Sequence, residues 1–331
     1  MKRIAAWMTL AACGTQAPSA RTSSPLERCL AGGGQLYEQW STSNLHGAVT
    51  SIAAGGSTIV LGSQDGSVKQ WSIAGAPDDP SYGPRFADGG PVAEALGFGP
   101  DGTLLAGDAN GALDRWSLAD AQPAGTTAIS DQPLASVFAT PDGKQLFVGG
   151  HVVYANLWSV DSSSASVAGP FKTRLWNVNA LALGDGVLAT AGDNYGVPAV
   201  ELRAAADPSS PTSYWQDPTM AGDVRALAFG NSMWLAAGDG FVALLPSDDV
   251  SDGPRTTAIV PDHRAVGLTP LGDELFATAG SEGTLRVWRS DTAEQVGSLP
   301  IASAIGLAID GTGSQLFTSG ADGLLHAFGC R

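Results

Sequence analysis

The residues able to do chemistry are few and poorly grouped. Four histidines (His46, His151, His263, His326) and three cysteines (Cys13, Cys29, Cys330) are spread along 331 residues. No His-x-x-x-His, cysteine pair at zinc spacing, Gly-x-Ser-x-Gly elbow or phosphate loop occurs. Carboxylates are plentiful, yet Asp65, Asp101, Asp142, Asp239 and Asp322 each precede a glycine. Asp-Gly is turn chemistry, because Asp bonds its own backbone and Gly supplies positive φ. The most suggestive group is Arg174 and Trp176 in RLWNVNAL. Arginine and tryptophan are the side chains that anchor interfaces, so the chemistry on offer is recognition more than catalysis.

These residues must be positioned by short strands and turns. Hydrophobic residues make up 44% of the chain and charged residues only 15%, against about 25% in an average soluble domain. Forty-three glycines and 20 prolines imply frequent turns. A glycine-bearing turn recurs at Gly62, Gly107, Gly149, Gly192, Gly238, Gly280 and Gly320, at intervals of 40 to 46 residues. Each follows two short apolar runs, as in VTSIAAGGSTIVLGS. A large residue falls five positions after the second turn glycine, pairing Gly66 with Trp71, Gly111 with Trp116, Gly283 with Trp288 and Gly323 with Phe328. No stretch carries a helical period. Seven units of this length predict an all-β, seven-bladed propeller with four-stranded blades over residues 29–331.

LFATAGSEGTLRVWRSDT (275–292) and HGAVTSIAAGGSTIVLGSQDGSVKQWSI (46–73) resemble WD40 repeats. The resemblance is strong in repeats 1, 2, 6 and 7. Repeat 3 has Gly150-His151 in place of Asp-Gly, and repeats 4 and 5 carry Glu201 and Leu245 at the tryptophan position. It implies that a strand near Gln35–Trp40 closes the ring as the outermost strand of the last blade. Cys29 would then lie beside Cys330, and an even cysteine pair in an exported chain favours a disulfide. It also implies a structural role for His46 and His263 at the approach to first strands. Aligned first strands put Thr50, Glu94, Ala135, Asn179, Arg225, Val266 and Ile305 in one column toward the central channel. Glu94 and Arg225 are its opposite charges, expected to neutralise each other or to bind a small polar ligand.

The N-terminus reads as an address. Lys2 and Arg3 precede a nine-residue, mostly apolar stretch from Ile4 to Ala12, too short to span a bilayer and suited to a signal peptide. Leu10-Ala11-Ala12-Cys13 resembles the bacterial lipobox, which implies removal of residues 1–12 and lipidation of Cys13. Residues 13–28, rich in Ser, Thr, Pro and small side chains, are expected to form a flexible tether. Gly14, where an inner-membrane retention signal would have Asp, implies the outer membrane.

Formal net charge is −15, which repels phosphate backbones and argues against nucleic-acid partners. The expected protein is a non-catalytic, cofactor-free, monomeric scaffold anchored by lipid at the bacterial cell envelope. It would bind an envelope or periplasmic protein through Trp176, Arg174, Arg225 and Glu94. Alternatives are a propeller hydrolase of lactonase type and a small-ligand or carbohydrate module using the channel.

Overall fold

A computed structural model describes residues 23–42, 48–73, 82–87, 89–99, 102–320 and 322–331. Cys13, the expected signal peptide and His46 lie outside them. The fold is all-β apart from one short helix, α1 (Pro25–Ala31). Antiparallel meanders build the sheets, and within each repeat the chain runs from the inside of the ring outward.

The first sheet comprises Val49–Gly55, Thr58–Ser63, Val68–Ser72 and Tyr82–Ala87. The second comprises Ala93–Phe98, Thr103–Asp108, Ala112–Ser117 and Pro123–Ala128. Leu134–Ala139, Gln145–Gly150, Leu157–Asp161 and Val167–Phe171 form the third. Asn177–Gly184, Val187–Asn194, Val197–Ala204 and Asp207–Gln216 form the fourth. In the last sheet Ala304–Ile309, Leu316–Gly320 and Leu325–Cys330 are completed by Leu36–Thr42 from the N-terminus. That closing strand pairs with Leu325–Cys330 in the register Leu36↔Cys330 to Thr42↔Leu325, as the sequence predicted.

Between the fourth and last sheets the expectation is corrected. Repeats 5 and 6 do not form separate blades; one six-stranded sheet spans Val224–Gly230 to Gln295–Pro300. The molecule therefore has six sheets where seven blades were expected. The cause is local. The AGDG turn at 237–240 is shorter than AGDANG or AGDNYG, so Met233–Pro246 keeps strand backbone through Gly240 (φ 84°) even as it folds back on itself there, the Trp234 indole donating to the Ser247 carbonyl (3.1 Å). Thr256–Pro270 likewise stays extended, and Asp239↔Arg264 pairing stitches the two repeats together.

First strands are buried on both faces, and Leu134–Ala139 is buried throughout. Outermost strands such as Pro123–Ala128 are almost wholly exposed. Radial stacking of sheets requires this gradient, because only inner and middle strands have neighbours on both sides. Trp71, Trp288 and Phe328, located by the turn-glycine spacing, are almost completely buried. Ile52 and Trp71 of the first sheet share a core with Phe317 and Leu325 of the last, which closes the ring.

Side chains at the start of one first strand bond to the start of the next: Thr50 and Ser51 to the Ala93 carbonyl, and Asn179 to the Val224 carbonyl. Neighbouring first strands therefore run the same way. Turns from first to second strands gather on one face. Turns from second to third strands, and the links into each new first strand, gather on the other.

Helix α1 corrects the expected extent of the tether. Its Ser24 cap accepts from the Glu27 amide (3.0 Å), and Leu26 and Glu27 are buried. Glu27 Oε1 accepts from the Glu274 and Leu275 amides (2.6 and 3.0 Å), and the Leu26 amide donates to the Gly313 carbonyl (3.1 Å). Both contacts lie in first-to-second turns, so α1 sits on that face. Cys29, in the helix, joins Cys330 in a disulfide with Cα atoms 6.1 Å apart.

Candidate functional site

The opposite face gathers the sequence-predicted recognition residues around the third, fourth and six-stranded sheets. Trp176 lies in the link before the fourth sheet, held where its amide donates to the Asp193 carbonyl (2.8 Å). Its indole donates to the Tyr154 hydroxyl (3.0 Å) and packs against Tyr195, with ring centroids 4.5 Å apart. Tyr154 and Tyr195 also meet, at 6.3 Å. Tyr195 is 67% exposed, and Val153, which precedes Tyr154 in the chain, 52%. Trp176, expected either to stand out as an anchor or to fold back over its blade, is half-buried inside an aromatic cluster.

Both tyrosines occupy the left-handed region, Tyr154 at φ 59° and Tyr195 at φ 56°. A bulky side chain there costs roughly 1–2 kcal/mol and persists only where the surroundings fix it. The Asp193 carboxylate does the fixing beneath Tyr195. It accepts from the Gly196 amide (2.9 Å) and from the Asn177 side chain (3.1 Å).

Arg174 does not join the aromatic trio. Its guanidinium lies 4.9 Å over Tyr214, and its amide donates to Glu201 Oε2 (3.0 Å). Glu201 is fully buried and paired with equally buried Arg203. Arg203 also donates to the carbonyls of Pro208 and Lys172 (2.5 Å each). A charge pair thus fills the position where stronger repeats carry tryptophan, and it anchors the strand that leads to Trp176.

Arg225 and Glu94 make no direct ion pair. Arg225 Nη2 bonds Asp239 Oδ2 at 2.9 Å. Glu94 has no hydrogen-bond or ion-pair partner among the described residues, and burial pushes its carboxyl up. Nor are these two the only charges near the mouth. Asp223 is pushed up to about 6 by burial and by the Asp193 and Asp239 charges, against the pull of Arg225. Burial drives the His151 imidazole down, with Asp193 opposing.

His263 and His326 are held within the blades. His263 Nδ1 meets Glu282 (2.6 Å) and Nε2 meets the Thr278 hydroxyl (2.8 Å), which also accepts from the Trp288 indole (2.8 Å). His326 bridges Glu38 (2.8 Å) and Asp322 (3.3 Å) across the closing strand. No group of three or more His, Cys, Asp or Glu among the described residues is placed to hold a metal ion. Sequence reasoning missed Tyr154, Tyr195, Asp193 and Asp223. An aromatic Tyr before Gly196 in AGDNYG, where the other turns have Asp, Asn or Glu, was the available signal.

Radial four-stranded meanders, an N-terminal closing strand and the buried Trp-Thr-His network define a WD40-repeat β-propeller fold. Among solved structures the chain is similar to the WD40 repeats of RRP9, with a TM-score of 0.73 and 16% identity over 90% of this chain and 98% of that one. No family model and no curated protein matches the sequence.

Proposed function

We propose that the chain is a non-catalytic interaction scaffold, lipid-anchored at the bacterial cell envelope and facing an envelope or periplasmic protein partner. The observation that carries this reading is the aromatic cluster of half-buried Trp176 and Tyr154 with exposed Tyr195 on the face opposite α1. A partly exposed, geometrically fixed group of aromatics beside arginine has the composition of an interface centre. The WD40 fold supports binding by analogy. The lipobox-like LAAC and the Ser/Thr/Pro-rich residues after it support the anchor. Because α1 packs on the first-to-second turn face, a chain lipidated at Cys13 would be tethered from that side and present the aromatic face away from the bilayer. The protein works without a cofactor and as a monomer.

Cross-linked affinity purification of the lipidated protein from its native envelope tests the scaffold. A near-stoichiometric partner, lost or weakened in Trp176→Ala, is the expected result. No partner, or one indifferent to that substitution, overturns it. Globomycin should cause an uncleaved precursor to accumulate, and a mature N-terminus without acyl chains at Cys13 would sink the anchor.

A further inference from the structure

The aromatic cluster borders an excess of negative charge. Gly222 donates its amide to the Gly196 carbonyl (3.0 Å), which sets Asp223 one residue from that bond on one side and Tyr195 one residue from it on the other. Three carboxylates, Asp193, Asp223 and Asp239, act on one another at this mouth, with the Arg225 guanidinium opposing them. Two of them are engaged, Asp193 by Asn177 and Gly196, Asp239 by Arg225. Asp223 has no hydrogen bond or ion pair among the described residues and is half-buried. His151 offers no compensation, since burial favours its neutral form.

An ionised, unpaired carboxylate beside exposed aromatic rings is complementary to a cation that can lie against a ring while its charge meets the carboxylate. We propose that this mouth takes a basic side chain, arginine in first place, from an exposed segment of a partner protein, with Tyr195 and Trp176 supplying the ring faces and Asp223 the counter-charge. Arginine fits better than lysine because its planar guanidinium stacks and hydrogen-bonds at once. The chain already uses this contact internally, Arg174 over Tyr214 and Arg331 over Tyr37 at 4.7 Å. A neutral glycan would use the rings and leave Asp223 unpaired.

The inference rests on the scaffold reading and is tested separately from it. Calorimetric titration of the mature, oxidised protein at pH 7.5 would compare acetyl-(Gly-Arg)₄-amide with acetyl-(Gly-citrulline)₄-amide, its uncharged counterpart. The arginine peptide should bind at least tenfold more tightly. Asp223→Asn and Tyr195→Gly should each weaken it at least fivefold; glycine suits the positive φ at 195, so the fold is kept. Asp161→Asn, in an exposed turn of the opposite face, should leave binding unchanged and so separates this mouth from general attraction to an acidic protein. Equal binding of the two peptides, no binding, wild-type affinity in both mouth variants, or an equal loss in Asp161→Asn each overturns the proposal. An envelope partner that depends on Trp176, found together with indifference to the arginine charge, would remove the cation and leave the scaffold standing.

Discussion

Glu201 and Arg203 are both fully excluded from solvent, and the same carboxylate holds the Arg174 amide that leads into Trp176. Removing one member of a buried ion pair leaves the other desolvated and uncompensated, at about 3–5 kcal/mol, whereas replacing both by apolar groups is often neutral. Glu201→Leu should therefore destabilise the protein by about that amount in urea unfolding. Adding Arg203→Met should recover most of the loss, although the Arg174 amide stays without its acceptor. Asp223 acts in the opposite sense. Its carboxyl is pushed up to about 6 by burial and by the neighbouring Asp193 and Asp239, with Arg225 opposing. The folded chain thus holds the proton more tightly than the unfolded chain, and this group's contribution falls as pH rises from about 4 through 6. Allowing for partial solvent screening, the cost at neutral pH is on the order of 1–2 kcal/mol. Asp223→Asn should raise the melting temperature at pH 7.5 and lose that advantage near pH 4. His263 contributes the reverse slope, because burial lowers its pKa and the unfolded chain gains a proton as pH falls through about 6.5. The difference between variant and wild type, not the wild-type profile alone, isolates Asp223. A variant no more stable at pH 7.5 than at pH 4 would show that the mouth is not under electrostatic strain.

At the scale of elements, the sequence was legible wherever a turn demanded a particular residue. Gly66, Gly111, Gly283 and Gly323 all have positive φ, between 77° and 89°, which is why the spacing from each to a buried Trp or Phe could be counted. It was illegible where the turn shrank. AGDG gave the period but not the Asp239↔Arg264 pairing that merges repeats 5 and 6 into one sheet. Helix α1 was spelled out in Ser24-Pro25-Leu26-Glu27, a capping residue, a first-turn proline and an acid three residues on. Seven residues are too few to show a helical period, so composition read the first four as tether. The site divides in the same way. Trp176 and Arg174 stood out by residue type, whereas Tyr154 and Tyr195 occupy turn positions and matter only because turns from different sheets meet. The element with the most at stake is α1, since it has no stability of its own and depends on docking. Leu26, 2% exposed, packs in one core cluster with Leu271 and Leu316. Leu26→Ala should cost about 2–4 kcal/mol and speed hydrogen exchange at the Glu274 and Leu275 amides, which α1 otherwise protects through Glu27. Unchanged exchange at those amides would mean that the Glu27 bonds survive without the Leu26 contact.

At the scale of the whole molecule, the ring is held by joining the two ends of the chain. Leu36–Thr42 supplies the outer strand, α1 grips the turns beside it, and Cys29–Cys330 ties the pair covalently across 301 residues. Cys29 lies beside Cys330 as the resemblance implied, and it does so from α1, just ahead of the closing strand. The chain returns to the strand through the glycines at 32–34. Gly34 is required there, because a Cβ would stand 2.5 Å from the Cys29 sulfur and 2.6 Å from that of Cys330. Each fastening covers the same weak point, since the one seam of the ring lies inside the last sheet, where the N-terminal strand Leu36–Thr42 meets Leu325–Cys330 and strand pairing alone would otherwise hold the two ends of the chain together. Cross-linking a loop of this length removes enough unfolded-chain entropy to stabilise the fold by about 5 kcal/mol in the entropic model, and by about 2–5 kcal/mol in practice. Cys330→Ser should therefore lower stability by an amount in that range and match the wild type under reducing conditions. The loss should be concentrated at the seam, with exchange rising first across Leu36–Thr42 and Leu325–Cys330 while the fourth sheet, farthest around the ring, stays protected. Uniform loss of protection would mean that the ring opens as one cooperative unit. In that case the disulfide acts on the unfolded chain alone and adds nothing to the seam.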